Sequence, residues 1–182
     1  MVSCTATTGG QNRWKAPQSA SPWNGTLDAL SCQFHRCQAP CGYVPAESTA
    51  ADPLFDGGGI ADKGVVFVDY NYRFGPLGWL AHSGLSVEFE KVTASNSSGN
   101  WGILDQFTAL KWTHENIANS CGDPDHTTVQ GQSASSVATQ YIMYSNITKG
   151  LIVSAIIESG VRDSHDLSAP VWLKLSLPSM TP

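Results

Sequence analysis

The pentapeptide Gly131-Gln132-Ser133-Ala134-Ser135 has the residue types of a serine nucleophile set in a tight turn. A serine hydroxyl becomes an effective nucleophile where the fold thrusts it out of the chain and backbone N–H groups wait for the oxyanion that its attack creates. A sharp strand-to-helix turn does this by placing the serine at positive φ, which requires small residues two positions before and two after it. Gly131 meets the first requirement, and Ser135 stands where glycine is usual, with a small hydroxymethyl group. The plain alternative is an exposed serine at an ordinary turn between a strand and a helix.

Which alternative holds depends on the flanking elements. Thr127-Thr128-Val129-Gln130 reads as a short strand, and residues 135 to 144 read as a helix that begins directly after Ser133. A helix opening there would aim its dipole and its free amides at the serine. Upstream, Ile103, Leu104, Phe107, Leu110 and Ile117 recur at helical spacing and predict an amphipathic helix over 101 to 117, with Asn100 able to cap it. Val65-Val66-Phe67-Val68-Asp69-Tyr70 is a β-branched and aromatic run expected as a strand buried on both faces, and 153 to 157 as another buried strand. The order strand, helix, strand, helix, strand predicts an α/β fold, a parallel sheet with helices on its faces. Ser133 then falls at the carboxyl end of a strand, where chemistry collects in such sheets.

Composition narrows the partners. The 182 residues carry a formal net charge of −5, with 10 Lys and Arg, too few to build the basic surface that nucleic acid or an anionic membrane requires. No apolar run approaches the length of a bilayer span, and the amino terminus lacks the charged and apolar regions of a signal peptide. Residues 1 to 63, rich in Pro, Gly, Ser and Cys, show no sustained period and read as irregular. Within them Asp56-Gly57-Gly58-Gly59 precedes its strand, which makes it a turn and not a phosphate cradle. Five cysteines, Cys4, Cys32, Cys37, Cys41 and Cys121, leave at least one without an intrachain partner. Cys32, Cys37 and Cys41 with His35 lack the C-x-x-C hairpin of a zinc site, so thiols or one disulfide are expected, and no metal or other cofactor. Asn24, Asn96 and Asn146 head N-x-S/T sequons, glycan acceptors in a secreted protein.

Several ordered motifs carry a family resemblance. Asn71-Tyr72-Arg73-Phe74-Gly75-Pro76-Leu77-Gly78-Trp79-Leu80, Gly99-Asn100-Trp101-Gly102-Ile103-Leu104-Asp105-Gln106, Gly122-Asp123-Pro124-Asp125 and Glu158-Ser159-Gly160 resemble, in sequence, the type-B carboxylesterase and cholinesterase-like family, particularly its fungal members. Ala51-Asp52-Pro53-Leu54-Phe55-Asp56-Gly57 and, more weakly, Arg13-Trp14-Lys15-Ala16-Pro17-Gln18 resemble further segments of it. The resemblance implies an α/β-hydrolase fold, a small-molecule ester as substrate, an acyl-enzyme on Ser133 and a secreted protein. It implies three regions: an irregular segment over 1–50 shortened against the family, an α/β-hydrolase core over 51–167 and a divergent tail over 168–182.

The resemblance also implies departures. Cys41-Gly42-Tyr43 stands where the family's glycine-rich loop ends, so the amides of Cys41 and Gly42 would join that of Ala134 in the oxyanion hole, although Cys41 has a Cβ where glycine is wanted. The family's acid and histidine follow the serine on later loops. Here His165, flanked by Asp163 and Asp166, is the only histidine beyond His126. That spacing suits a surface loop better than a triad. His82, His114 and His126 read as structural or exposed. Two readings stand: a serine esterase impaired by its missing partners, and a non-catalytic binding relative or inactive fragment.

Overall fold

The computed structural model describes residues 10–19, 24, 57–93 and 98–160. Five helices are placed among them: α1 (Gly58–Ala61), α2 (Gly75–Trp79), α3 (Ser83–Thr93), α4 (Trp101–Asn116) and α5 (Ala134–Tyr144). Two strands, β1 (Thr128–Gln132) and β2 (Ser154–Glu158), flank α5 and pair in parallel, Thr128 opposite Ser154 through Gln132 opposite Glu158. This is a β-α-β crossover, the unit from which parallel α/β sheets are built.

The core lies between α4 and α5. Ile103, Phe107 and Leu110 from α4 meet Ala138 and Ile142 from α5, with Leu104, Val129, Leu151 and Ile152 packed against them. Apolar spacing drew α4 correctly but understated its burial. Asp105 and Gln106 are buried too, so the helix's first half is enclosed nearly all round. Asp105 tolerates this because Arg73 grips it: Nε donates to Oδ2 at 2.7 Å, Nη2 to Oδ1 at 2.7 Å, and the Arg73 backbone N–H to Oδ2 at 3.0 Å. Nη1 donates to the Lys15 carbonyl at 2.6 Å, and Trp14 Nε1 donates to the Pro76 carbonyl at 3.1 Å. The residues around Trp14 are thereby tied to α2 and α4. Gly102 permits this approach, since a Cβ there would lie 2.6 Å from the Arg73 carbonyl and 2.8 Å from the Trp79 ring.

At the far end of α5, Ser145 terminates the helix in an extended conformation. Thr148 then folds back, its hydroxyl donating to the carbonyls of Ile142 at 2.5 Å and Ser145 at 3.2 Å. The side chain is fully buried by this carbonyl cap.

Four expectations change. The strand expected as buried over 153 to 157 runs over Ser154–Glu158 and is exposed at every residue but Ala155, with β1 its one partner among the described residues. The Val65–Tyr70 run forms no strand among the described residues, and Val65, Val66, Phe67 and Val68 are all exposed instead of buried on both faces. β-Branched side chains favour a pleated surface, but a strand exists only where a neighbour satisfies its backbone, and none of the described residues pairs with this run. Asn100 precedes α4 without a side-chain cap. Its φ of −107° and ψ of 30° are not the extended backbone that swings a capping oxygen over the first amides, and only its carbonyl joins the helix, accepting from Leu104 N–H at 3.0 Å. The irregular first 63 residues contain short helical turns at Gly10–Asn12 and Gly58–Ala61, the latter where a simple turn was expected.

Candidate functional site

β1 ends at Gln132 and α5 begins at Ala134, leaving Ser133 alone at the junction. Its φ of 56° and ψ of −120° lie outside the ordinary regions for a residue with a Cβ, a conformation that costs about 1–3 kcal/mol and persists only where its surroundings enforce it. The enforcement is visible on both sides. Ser133 N–H donates to the Glu158 carbonyl at 2.9 Å, carrying the β1–β2 ladder one residue past the strand. Its carbonyl accepts from Ser136 N–H at 3.0 Å and Val137 N–H at 3.4 Å, which starts the helix. Chain reversal within so few residues demands a bare Cα at Gly131. A Cβ there would come within 2.6 Å of Thr139 Oγ1 and closer still to the Ser135 carbonyl.

Ser133 and Ala134 are both exposed. The Ala134 N–H is the first of α5, where no intrahelical acceptor exists, so it projects from the positive end of the helix beside the serine. Ser135, at the position where a glycine is usual, fits in helical conformation half-buried, with its carbonyl accepting from Thr139 Oγ1 at 2.9 Å. The strand, the turn and the helix meet where the sequence expects them, although β1 runs to Gln132 and α5 starts one residue earlier than its periodicity indicates.

The remaining site expectations separate in space. His114 Nδ1 lies 3.2 Å from the Pro124 carbonyl, and His126 Nδ1 lies 2.6 Å from Asp123 Oδ2. Both are at the entry of β1, and Ser133 is at its exit, a five-residue strand or roughly 17 Å away. The contact with His126 and the Asp125 N–H hold the Asp123 carboxyl below its ordinary range. His82 is engaged in its own turn, its Nδ1 accepting from Gly84 N–H at 3.1 Å. Cys41, Gly42, His165, Asp163 and Asp166 lie outside the described residues, as do His35, Cys4, Cys32, Cys37 and Asn96. Cys121 is an exposed free thiol. Asn24 and Asn146 are exposed. No group of three metal-binding side chains occurs among the described residues, nor any helix long and apolar enough to cross a membrane.

Two features were not drawn out of the sequence. One is the Arg73–Asp105 pair, whose members belong to separate motifs 32 positions apart. The other is Ser136, whose hydroxyl is wholly buried and donates to the carbonyl of Gly160. A serine three places after the turn carries no signal by itself, since its partner is supplied only when β2 pairs with β1.

A parallel α/β crossover that presents a strained serine at the head of a helix defines the hydrolase class of α/β proteins. The family model described as "Carboxylesterase family" matches residues 39–170, well over half of the sequence, and the chain belongs to that family. It is similar to the fumonisin B1 esterase of Sphingopyxis macrogoltabida, 41% identical over 111 residues that make up 61% of this chain and 20% of that protein. It is also similar to the para-nitrobenzyl esterase of Bacillus subtilis (strain 168), 32% identical across 83% of this chain and 37% of that protein. Among solved structures, a thermophilic PNB esterase aligns with a TM-score of 0.70 and 31% identity, covering 86% of this chain and 39% of the other. The chain thus spans from a fifth to two fifths of the length of these relatives, and its fold is the corresponding part of the α/β-hydrolase fold.

Proposed function

We propose that this chain carries the nucleophile of a carboxylic ester hydrolase. Ser133 Oγ attacks the ester carbonyl, the Ala134 N–H receives the oxyanion, the alcohol departs with a proton, and water then releases the acid from the acyl-serine. The observation that carries this reading is the backbone of Ser133 between a paired strand and a helix, whose φ of 56° with ψ of −120° lies outside even the left-handed region that Cys121 occupies. The names of the relatives support a small-molecule ester as the substrate. Cys41 and Gly42 are the proposed further amides of the oxyanion hole, within a hydrolase core at 51–167 preceded by a shortened segment at 1–50 and followed by a divergent tail at 168–182.

A second reading is a non-catalytic relative. It is favoured by the placement of His114 and His126 at the opposite end of β1 from the serine, which leaves Ser133 without either as a base. One experiment decides between the two. A fluorophosphonate probe should label the full chain at Ser133, and Ser133→Ala should abolish labelling and ester turnover together. A folded sample that takes up no probe would establish the second reading.

A further inference from the structure

We propose that Ser136 is a positioning residue for Ser133, acting through a clamp that joins the first turn of α5 to the end of β2; the proposal rests on the nucleophile reading above. Three contacts converge on Gly160. The Ser136 hydroxyl donates to its carbonyl, Gln140 Nε2 reaches the same oxygen at 3.4 Å, and its Cα abuts the nucleophile's own backbone. A Cβ on Gly160 would lie 2.6 Å from the Ser133 carbonyl, 2.8 Å from Ser136 Oγ and 3.0 Å from Ser136 Cβ. The chain leaving β2 is therefore wedged between the strained residue and the side chain that holds it.

The mechanical sense of this arrangement follows from the hydrogen bonds around the turn. Ser133 N–H is fixed to Glu158 at 2.9 Å, and its carbonyl to Ser136 N–H at 3.0 Å. Both ends of the strained residue are thus anchored on the β2 exit or on the residue bonded to it. With the Ser136 hydroxyl in place, the β2 exit cannot move away from the first turn of α5, and the φ of Ser133 cannot relax, without breaking a part-buried bond. Ser136 and Thr139 are fully buried and Gln140 nearly so, so the donor side of that bond is closed to water, while Gly160 is half-buried. Ser159, the residue before Gly160, also takes positive φ, at 54°. The bond has no part in proton transfer and touches no substrate. Its effect is on the angle at which Oγ is presented and on the Ala134 amide beside it.

The test compares the wild-type chain with Ser136→Ala and Ser136→Cys, the second keeping the shape while weakening the donor. Two readouts are taken on the full chain. In fluorophosphonate labelling, loss of positioning lowers the first-order rate at saturating probe by about 10- to 100-fold, with the probe's half-saturation unchanged. A merely destabilised chain lowers the labelled fraction and leaves that rate alone. In hydrogen exchange, peptides covering 132–137 and 158–160 should exchange about tenfold faster in both variants, while those within 101–110 stay as protected as in wild type. Wild-type labelling rate and unchanged exchange in Ser136→Ala would overturn the clamp and leave Ser133 as nucleophile. Absence of labelling in the wild-type chain would overturn the nucleophile reading, and the exchange comparison would then decide the clamp alone.

Discussion

Removing the carboxylate of Asp105 isolates the one buried ion pair among the described residues. Arg73 and Asp105 are 5% and 8% exposed, and Asp105→Ala deletes three hydrogen bonds to Arg73 at once. Among the described residues the guanidinium then keeps only the Lys15 carbonyl, with its charge uncompensated in a dry setting. Breaking a buried pair in this manner costs about 3–5 kcal/mol, most of it the desolvation of the orphaned partner. With a urea slope of about 2 kcal/mol per molar for a chain of this size, the unfolding midpoint should fall by about 1.5–2.5 M. Tryptophan fluorescence reports it well, because Trp101 is buried with its ring edge-on to Phe89 at 5.1 Å. The same physics requires that Arg73→Met combined with Asp105→Leu recover most of the loss, since no charge is then left buried. Lys111 and Glu115, 3.8 Å apart but 68% and 56% exposed, serve as the control, and Glu115→Ala should move stability by less than about 0.5 kcal/mol. A midpoint shift in Asp105→Ala as small as the control's, or a double variant no better than the single one, would refute the argument.

Gly131→Ala should destabilise by about 1–3 kcal/mol in the same assay and abolish probe labelling, because the new methyl meets the Ser135 carbonyl and Thr139 Oγ1 and the turn must open. Cys121, at the end of the turn that follows α4, has a φ of 62°, and Cys121→Gly should stabilise by about 0.5–1 kcal/mol. Left-handed strain of about 1–2 kcal/mol is relieved there, partly offset by the greater freedom of glycine when unfolded. Asp123 has a lowered pKa from His126 and the Asp125 N–H, so its contribution is present above the ordinary carboxylate value of 3.8 and is lost as pH falls through the lowered one. Asp123→Asn should therefore lower stability at neutral pH and flatten the acid limb of a melting-temperature profile, and an unchanged acid limb would contradict that assignment.

The crossover around Ser133 was legible because every local signal in it agrees. Val129 and Gly131 turn inward, the turn has its small residues, and the helix that follows buries Ala138 and Ile142. Val65–Tyr70 was not, since a run of strand formers states a preference that only a neighbouring strand can satisfy. α3 carries only a faint apolar signal, although Leu85, Ser86 and Phe89, with His82 just ahead of the helix, line one half-buried face. Two of those four are polar, and a periodicity judged on apolar residues alone loses the stripe. The grip of Arg73 on Asp105 and that of Ser136 on Gly160 were hidden for one reason: each joins groups more than 20 positions apart, and nothing local in either partner names the other.

The buried hydroxyl of Thr148 bears on the biosynthesis of the chain. An acceptor sequence is defined by its third residue as much as by its asparagine, so the enzyme that attaches a glycan must read the threonine side chain. In Asn146-Ile147-Thr148 the asparagine faces solvent, while the threonine is 1% exposed and both its hydrogen bonds point into the end of α5. The folded chain offers half of the recognition element. Were the chain to meet that enzyme, attachment at Asn146 would have to precede closure of the helix end, and rapid folding of this crossover would act against it.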